Sequence, residues 1–146
     1  MEQIFKLLSV IALATIELWA AIPAGLALGL NPFLVGLGAA VGAILGTLIV
    51  VLVGEQLRNR LVRRYSSKKE KQQPGLIQRI WQRYGLIGLG LLAPLLTGAP
   101  LGAALGLSLG AQAGQLMVWM SLGIVLWAVI LTAAGVLGLA GIEKLF

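Results

Sequence analysis

The feature that most constrains the fold is a run of 59 residues, positions 84 to 142, without Asp, Glu, Lys, Arg or His. A helix that crosses the bilayer needs about 20 mostly apolar residues, so this run is long enough for two crossings. From Leu7 to Gly54 the only charged residue is Glu17. Just 11% of the residues are charged, against roughly 25% in a soluble domain. The sequence therefore predicts an all-α integral membrane protein with a single membrane domain.

The residue types present offer little for catalysis. The chain contains no Cys, His or Asp, which removes disulfides, most metal ligands and the catalytic triads that need these side chains. We therefore predict that the protein is not an enzyme and holds neither a metal nor a cofactor.

Positive charge is concentrated between the two apolar blocks, where nine of the 11 Lys and Arg residues lie between Arg58 and Arg83. Such charge stays on the cytoplasmic side of a membrane, so we expect the loop 56–84 to be cytoplasmic. Because the charge is confined to this loop, it indicates topology and not a nucleic-acid partner. Apolar residues at i, i+3, i+4 and i+7 from position 77 predict an interfacial helix. We expect three residues of this helix to contact the lipid bilayer and its anionic headgroups: Arg79, Trp81 and Arg83.

Pro and Gly divide each apolar block into an interrupted segment and a continuous one. Pro23 and Gly25 interrupt the first block, and Pro94 and Pro100 bracket a break in the second. The continuous runs, at 33–53 and 115–141, are long enough to span a bilayer.

The two blocks resemble each other. Pairing Pro23 with Pro100, an offset of 77 residues, also aligns several Gly, Ala and Leu residues. This pattern predicts two hairpin-plus-helix repeats, and interrupted segments at matching positions of two halves are typical of transporter binding sites. The predicted divisions are repeat 1 at 1–55, a basic loop with its interfacial helix at 56–84, and repeat 2 at 85–146.

Two topologies fit this pattern. If each hairpin is re-entrant, two helices cross, the repeats are inverted and both termini are outside. If every interrupted segment spans, a four-helix transmembrane bundle has both termini inside. Hairpin arms of about 14 residues reach only about 20 Å, less than the roughly 30 Å hydrocarbon core, so we favour inverted, re-entrant hairpins.

Glycine recurs every four residues at positions 98, 102, 106, 110 and 114. Such GxxxG rows let helix backbones approach closely in a membrane. They predict tight packing within one monomer, which we favour, or alternatively a dimer face or a sliding surface. We also expect the protein to form a homo-oligomer.

Glu17 is the one acidic residue inside an apolar block, and a carboxyl in hydrocarbon is costly enough to indicate function. We predict that it carries a proton or an exchangeable cation. The alternative is that Glu17 caps a helix starting near Leu18 at the membrane interface. Trp19 beside it would stack on a cation or anchor at the headgroups.

The second candidate is the break between the two later prolines, where interrupted backbone frees amides and carbonyls. Thr97 offers a hydroxyl, Gly98 permits close approach, and the following helix presents its positive end. If the hairpins meet at the midplane, both breaks share one site. The predicted transport and coupling residues are Glu17, Trp19, Pro23, Pro94, Thr97, Gly98 and Pro100.

These segments also carry a resemblance. Glu17 to Gly25, followed by Gly29-Leu30-Asn31-Pro32, resembles the first motif of the small multidrug export protein family of prokaryotic membrane proteins, and Ala93 to Gly102 resembles its second. The resemblance implies a multi-pass protein of the prokaryotic inner membrane that exports a small molecule. Trp19 stands where the family commonly has Arg, so a mechanism built on a Glu-Arg pair is not implied here.

The hairpin-plus-helix plan is also similar to the DedA family at the level of the fold alone. That likeness implies lipid carrier translocation. Three functions are therefore open: a proton- or ion-coupled exporter, which we favour; a non-transporting membrane subunit or assembly factor; and a DedA-like lipid carrier translocase.

Overall fold

The computed structural model describes residues 2–65 and 85–143, and within these ranges all regular secondary structure is helical. Arg79, Trp81 and Arg83, the predicted interfacial residues, lie outside the described residues. The helices in chain order are α1 (Glu2–Ile16), α2 (Leu18–Ala27), α3 (Pro32–Tyr65), α4 (Leu86–Leu96), α5 (Ala99–Ser108) and α6 (Ala113–Glu143).

Two of these helices are long and apolar enough to cross a membrane. Pro32–Leu57 in α3 and Ala113–Gly138 in α6 are each 26 residues long, with mean hydropathy of 2.5 and 2.3. At 1.5 Å per residue each reaches about 39 Å, more than the roughly 30 Å hydrocarbon core. The predicted continuous runs are therefore confirmed as helices. However, α3 continues to Tyr65 and so occupies the start of the predicted basic loop.

The shorter helices form two helical hairpins. Gly25 in α2 packs against Val10 in α1, with a hypothetical Cβ on the glycine 3.0 Å from the valine Cγ2, so the chain reverses between them. In the same way, Gly106 in α5 packs against Leu89 in α4, with a corresponding distance of 3.1 Å. We call Glu17 the first tip and Thr97-Gly98 the second tip, since these residues join the arms of each hairpin.

The first break does not lie where the sequence predicted it. Pro23 is inside α2, and the chain turns at Glu17. Pro94 is likewise inside α4, two residues before that helix ends at Leu96. An internal proline removes one backbone hydrogen bond, and membrane helices tolerate this loss where neighbouring groups compensate. The predicted break at Pro23 is therefore wrong, whereas the predicted break between Pro94 and Pro100 is confirmed, because the chain turns there at Thr97-Gly98.

Glycines on α3 bring the first hairpin close to the long helix. Gly38 packs against Leu7, a Cβ on Gly42 would collide with the carbonyl of Ile11, and one on Gly46 would collide with the carbonyl of Thr15. Both series advance by four residues, so α1 and α3 run parallel in near backbone contact. Since Gly46 is near the middle of the Pro32–Leu57 span, the first tip lies at the same middle level.

The second hairpin packs on α6 in a similar way. A Cβ on Gly123 would collide with the carbonyl of Gly90, and the indole Nε1 of Trp127 donates a hydrogen bond of 2.6 Å to the carbonyl of Leu91. Both contacts lie near the middle of the Ala113–Gly138 span. The second tip, a few residues beyond Leu91, is therefore also at the middle of a long helix.

The two halves correspond in backbone conformation at an offset of 81 residues, four more than the sequence comparison predicted. Leu18 and Ala99 begin matching helices. Gly29 and Gly110, which follow these helices, have φ of 72° and 86°. Each glycine donates a backbone hydrogen bond of 3.0 Å to the residue three positions earlier, as in a Schellman helix cap, for which glycine is favoured.

Contacts between the halves obey the same offset. Gly54 in α3 meets Leu107 at the end of α5, and its counterpart Gly135 in α6 meets Leu26 at the end of α2. Late α3 therefore lies beside the start of α6, and early α3 lies beside the later part of α6, where Gly36 faces Thr132. The two long helices run antiparallel.

Candidate functional site

The two hairpin tips meet. A Cβ added to Gly98 would lie 3.3 Å from each carboxylate oxygen of Glu17 and 3.5 Å from the carbonyl of Ile16. Gly98 is buried and Glu17 is half-buried. The structure thus brings together the carboxyl and the second break, the two features that sequence reasoning selected independently.

The local backbone explains why glycine occupies the second tip. Gly98 has φ 81° and ψ 150°, a region open to glycine and costly for other residues. A larger residue there would also crowd the Glu17 carboxylate. Thr97 at the same tip is exposed. Its hydroxyl reaches only the carbonyls of Ala93 and Gly98, at 3.4 and 3.5 Å, where hydrogen bonds are weak.

Glu17 itself is the residue that precedes α2, at φ −141° and ψ 104°. The alternative prediction of a helix cap is therefore confirmed in that Glu17 directly precedes α2, and it is wrong about the contact, because the side chain makes no capping hydrogen bond. Within the described part of the chain, the one ion pair joins Lys6 and Glu2. The Glu17 carboxylate is thus held at the tips without a basic partner from the described residues.

The helix ends at the tips balance one another electrostatically. Each tip joins the C-terminus of one helix, α1 or α4, to the N-terminus of the next, α2 or α5. A helix N-terminus carries about half a positive elementary charge and a C-terminus about half a negative one, so the four ends nearly cancel. The Glu17 carboxylate therefore determines the net charge of the site when it is ionised. First-turn amides of α2 and α5 lack helical partners. In the last turns of α1 and α4, the carbonyls of Leu13 and Ala93 accept hydrogen bonds from the backbone N–H groups of Glu17 and Thr97, at 2.9 and 3.0 Å.

A groove of about 360 Å³ lies beside the tips, between α2, α4 and α6. Trp19, two residues after Glu17, is 52% exposed and lines it. Of the other predicted site residues, Pro23 is exposed in the groove wall, Pro94 is buried in α4, and Pro100 is the second residue of α5. The groove lining is Trp19, Ile22, Pro23, Leu95, Leu131 and Ala134, together with a glycine of α6.

Several contributors to the site were missed by sequence reasoning. Leu95 and Leu131 line the groove, and nothing distinguishes them from other leucines in the sequence. Trp127, which fixes α4 through its hydrogen bond to Leu91, was detectable in principle, because an indole N–H in an apolar run needs an acceptor. The residue that supplies the acceptor was not predictable.

The fold defines a class first: a small helical membrane protein, whose described residues include two apolar helices long enough to span a bilayer. Comparison with protein-family models then matches residues 17–130 to the family described as "Putative small multi-drug export protein", and the chain belongs to that family. The matched region begins at the first tip and includes the second, so the resemblance noted in the sequence is confirmed.

Comparison with curated proteins gave no match. Comparison with solved structures gave none either. The likeness to the DedA family therefore stays a prediction.

Proposed function

We propose that this protein exports a small molecule across the inner membrane, and that Glu17 couples the export to movement of a proton or another cation. The observation that carries this proposal is the contact between the Glu17 carboxylate and Gly98 at the meeting point of the hairpin tips. Family membership supports export. A lone intramembrane carboxyl supports coupling, since such groups are expensive to keep and mark ion pathways.

The proposal includes inverted, re-entrant hairpins. At 1.5 Å per residue, α1 and α4 reach about 22 and 16 Å, well short of the roughly 30 Å core. Their tips are level with the middle of the long helices, and those helices run antiparallel. In this arrangement the hairpins enter from opposite faces, the loop 56–84 is cytoplasmic and contacts anionic headgroups, and both termini are outside. Assembly into a homo-oligomer is also part of the proposal.

The coupling step follows from charge at the tips. An ionised Glu17 is attracted to the amides of the α2 and α5 first turns and holds the tips together. A proton or cation that neutralises the carboxylate removes this attraction, so one hairpin can move away and open the site to its own side of the membrane. Release of the ion closes the site again. In this proposal the carboxyl lies between the two hairpins, and alternating access follows from the movement of one repeat against the other around that fixed site.

The test is transport in proteoliposomes with an imposed pH gradient, using ethidium, norfloxacin and a fluorescent phospholipid as cationic, zwitterionic and lipid probes. We expect gradient-driven flux of at least one soluble probe and a loss of at least tenfold in Glu17→Gln. Glu55→Gln is the matched control, since Glu55 is an exposed carboxylate near the end of the α3 span, and it should retain wild-type flux.

The outcomes separate the competing functions. Undiminished flux in Glu17→Gln would overturn the coupling role. Flux of the phospholipid alone would favour a lipid translocase, and absence of flux together with stoichiometric co-purification of a partner complex would favour a membrane subunit.

A further inference from the structure

The groove beside the hairpin tips has the dimensions of a ligand site. Its volume of about 360 Å³ lies within the roughly 300–1,000 Å³ typical of small-molecule pockets. It is bounded by the first half of α2, the end of α4 and the later part of α6. The side chains of Trp19 and Pro23 in its wall are exposed, so the groove is accessible to a ligand.

The chemistry of the wall favours an apolar ligand body. Every lining side chain is aliphatic or aromatic. Trp19 is half-exposed at the groove, and an indole face is the best aromatic surface for a cation. Pro23 lacks the N–H that would donate to the carbonyl of Trp19, four residues earlier. The Trp19 carbonyl therefore adds a partial negative charge to the backbone between the lining residues Trp19 and Pro23.

The charge beside the groove favours a cationic ligand. Glu17 is two residues from Trp19, and Gly98, which touches the Glu17 carboxylate, is three residues from Leu95. Because the four helix ends at the tips nearly cancel, the field that reaches the groove is that of the carboxylate. Surroundings of low dielectric extend such an attraction well beyond its range in water.

We propose that this groove binds a lipophilic organic cation, a compact apolar molecule with a delocalised positive charge. The inference rests on the proposed export function, for which it names the substrate class. The negative charge at the tips disfavours an organic anion of the same shape. A neutral hydrophobic molecule would gain the apolar contacts but not the attraction to Glu17.

The test is equilibrium binding to the full chain in nanodiscs of zwitterionic lipid, without any gradient. Tetraphenylphosphonium and tetraphenylborate are suitable probes, because they have nearly the same shape and opposite charge. We expect the cation to bind at least tenfold more tightly than the anion. Glu17→Gln should remove most of this preference.

Variants of the groove locate the site. Leu95→Trp fills the groove and should weaken cation binding at least tenfold. Leu92→Trp makes the same change three residues earlier on α4, at a side chain that is 51% exposed outside the groove, and binding should stay within twofold of wild type. Trp19→Phe should retain more affinity than Trp19→Ala. If Leu95→Trp does not elute as folded protein, Ala134→Leu replaces it as the filling variant.

Equal affinity for the two probes, or equal losses in Leu95→Trp and Leu92→Trp, would overturn the inference. Binding is measured without transport, so its failure is distinct from failure of the exporter proposal. If the cation binds in the groove but Glu17→Gln transports at the wild-type rate, the coupling role of Glu17 is overturned and the proposed cation site is retained. Gradient-driven norfloxacin flux without cation binding would overturn the proposed cation site and leave the exporter proposal in place.

Discussion

The two hairpin tips occupy matching positions and differ in chemistry. The first turns on one residue, Glu17, whose extended backbone any residue can adopt. The second turns on two, and Gly98 has a backbone conformation that only glycine adopts at low cost. The first tip therefore supplies a charge, and the second supplies the space in which that charge lies. Only the first of the two tips carries a carboxyl, so the candidate site combines two matching turns with different side chains.

The largest expected effect comes from the helix contacts that hold the tips at the same depth. Gly42→Ala would drive a Cβ into the carbonyl of Ile11, and a backbone carbonyl cannot rotate away as a side chain can. We therefore expect the free energy of unfolding to fall by an amount near the upper end of the roughly 1–3 kcal/mol that is usual for overpacking. Gly88→Ala is the control, since no atom lies within 4 Å of its added Cβ. Thermal unfolding in detergent measures both, and similar losses would contradict the proposed role of the α1–α3 contact.

The next effect distinguishes the contact between the tips from backbone strain alone. Gly98→Ala places a Cβ beside the Glu17 carboxylate at φ 81°, whereas Gly110→Ala meets no atom within 4 Å at φ 86°. We expect a cost of about 1–3 kcal/mol for Gly98→Ala and about 1 kcal/mol for Gly110→Ala. When both substitutions are made in the Glu17→Ala background, the difference between their costs in free energy of unfolding should become smaller. An unchanged difference would mean that the tips do not interact.

A smaller effect is expected at the hydroxyl of the second tip. Thr97→Val removes an exposed group whose hydrogen bonds are long, so stability should change by no more than about 0.5 kcal/mol and flux should stay within twofold. Glu17→Gln, by contrast, should abolish coupling. If Thr97→Val impaired flux as strongly as Glu17→Gln, the polar groups of both tips would have to contact the transported species.

The smallest effect is expected at the base of the first hairpin. The ammonium of Lys6, 2.6 Å from the Glu2 carboxylate, lowers the pKa of Glu2 from its ordinary value of 4.5 through a hydrogen bond and charge attraction. A lowered carboxyl pKa stabilises the fold above pH 4.5, and this contribution is lost as pH falls through the lowered pKa. Glu2→Gln should reduce the pH dependence of the melting temperature between pH 4.5 and the lowered pKa of Glu2. The reduction should be small, because Glu2 is exposed.

Part of this fold could be predicted from patterns within single segments. Two uninterrupted apolar runs predicted α3 and α6, because length and hydropathy alone decide whether a helix can span. Glu17 and Gly98 were selected for the cost of a buried carboxyl and for the flexibility of glycine. Such arguments need no knowledge of neighbouring helices.

The first turning point and the register needed tertiary contacts. Glutamate is a good helix former, so nothing local predicts that α1 ends before Glu17, while Pro23 suggested a break where the helix continues. Glycine and alanine recur at four-residue intervals, so an alignment displaced by four residues scores nearly as well as the correct one. The offset of 81 became evident from the backbone, through the positive φ of Gly29 and Gly110, and from paired contacts such as those of Leu26 and Leu107.

The reciprocal contacts between the halves have a consequence for biosynthesis. Leu26 is covered by Gly135 and Leu107 by Gly54, so neither half contains all the surfaces that it buries. In the proposed re-entrant topology, a nascent chain that ends after α3 holds Glu17 in the bilayer without Gly98 beside it. We therefore expect insertion of the first hairpin to be completed only when the second hairpin leaves the translocon, with the acidic tip stabilised until then by lipid headgroups, water or a membrane chaperone.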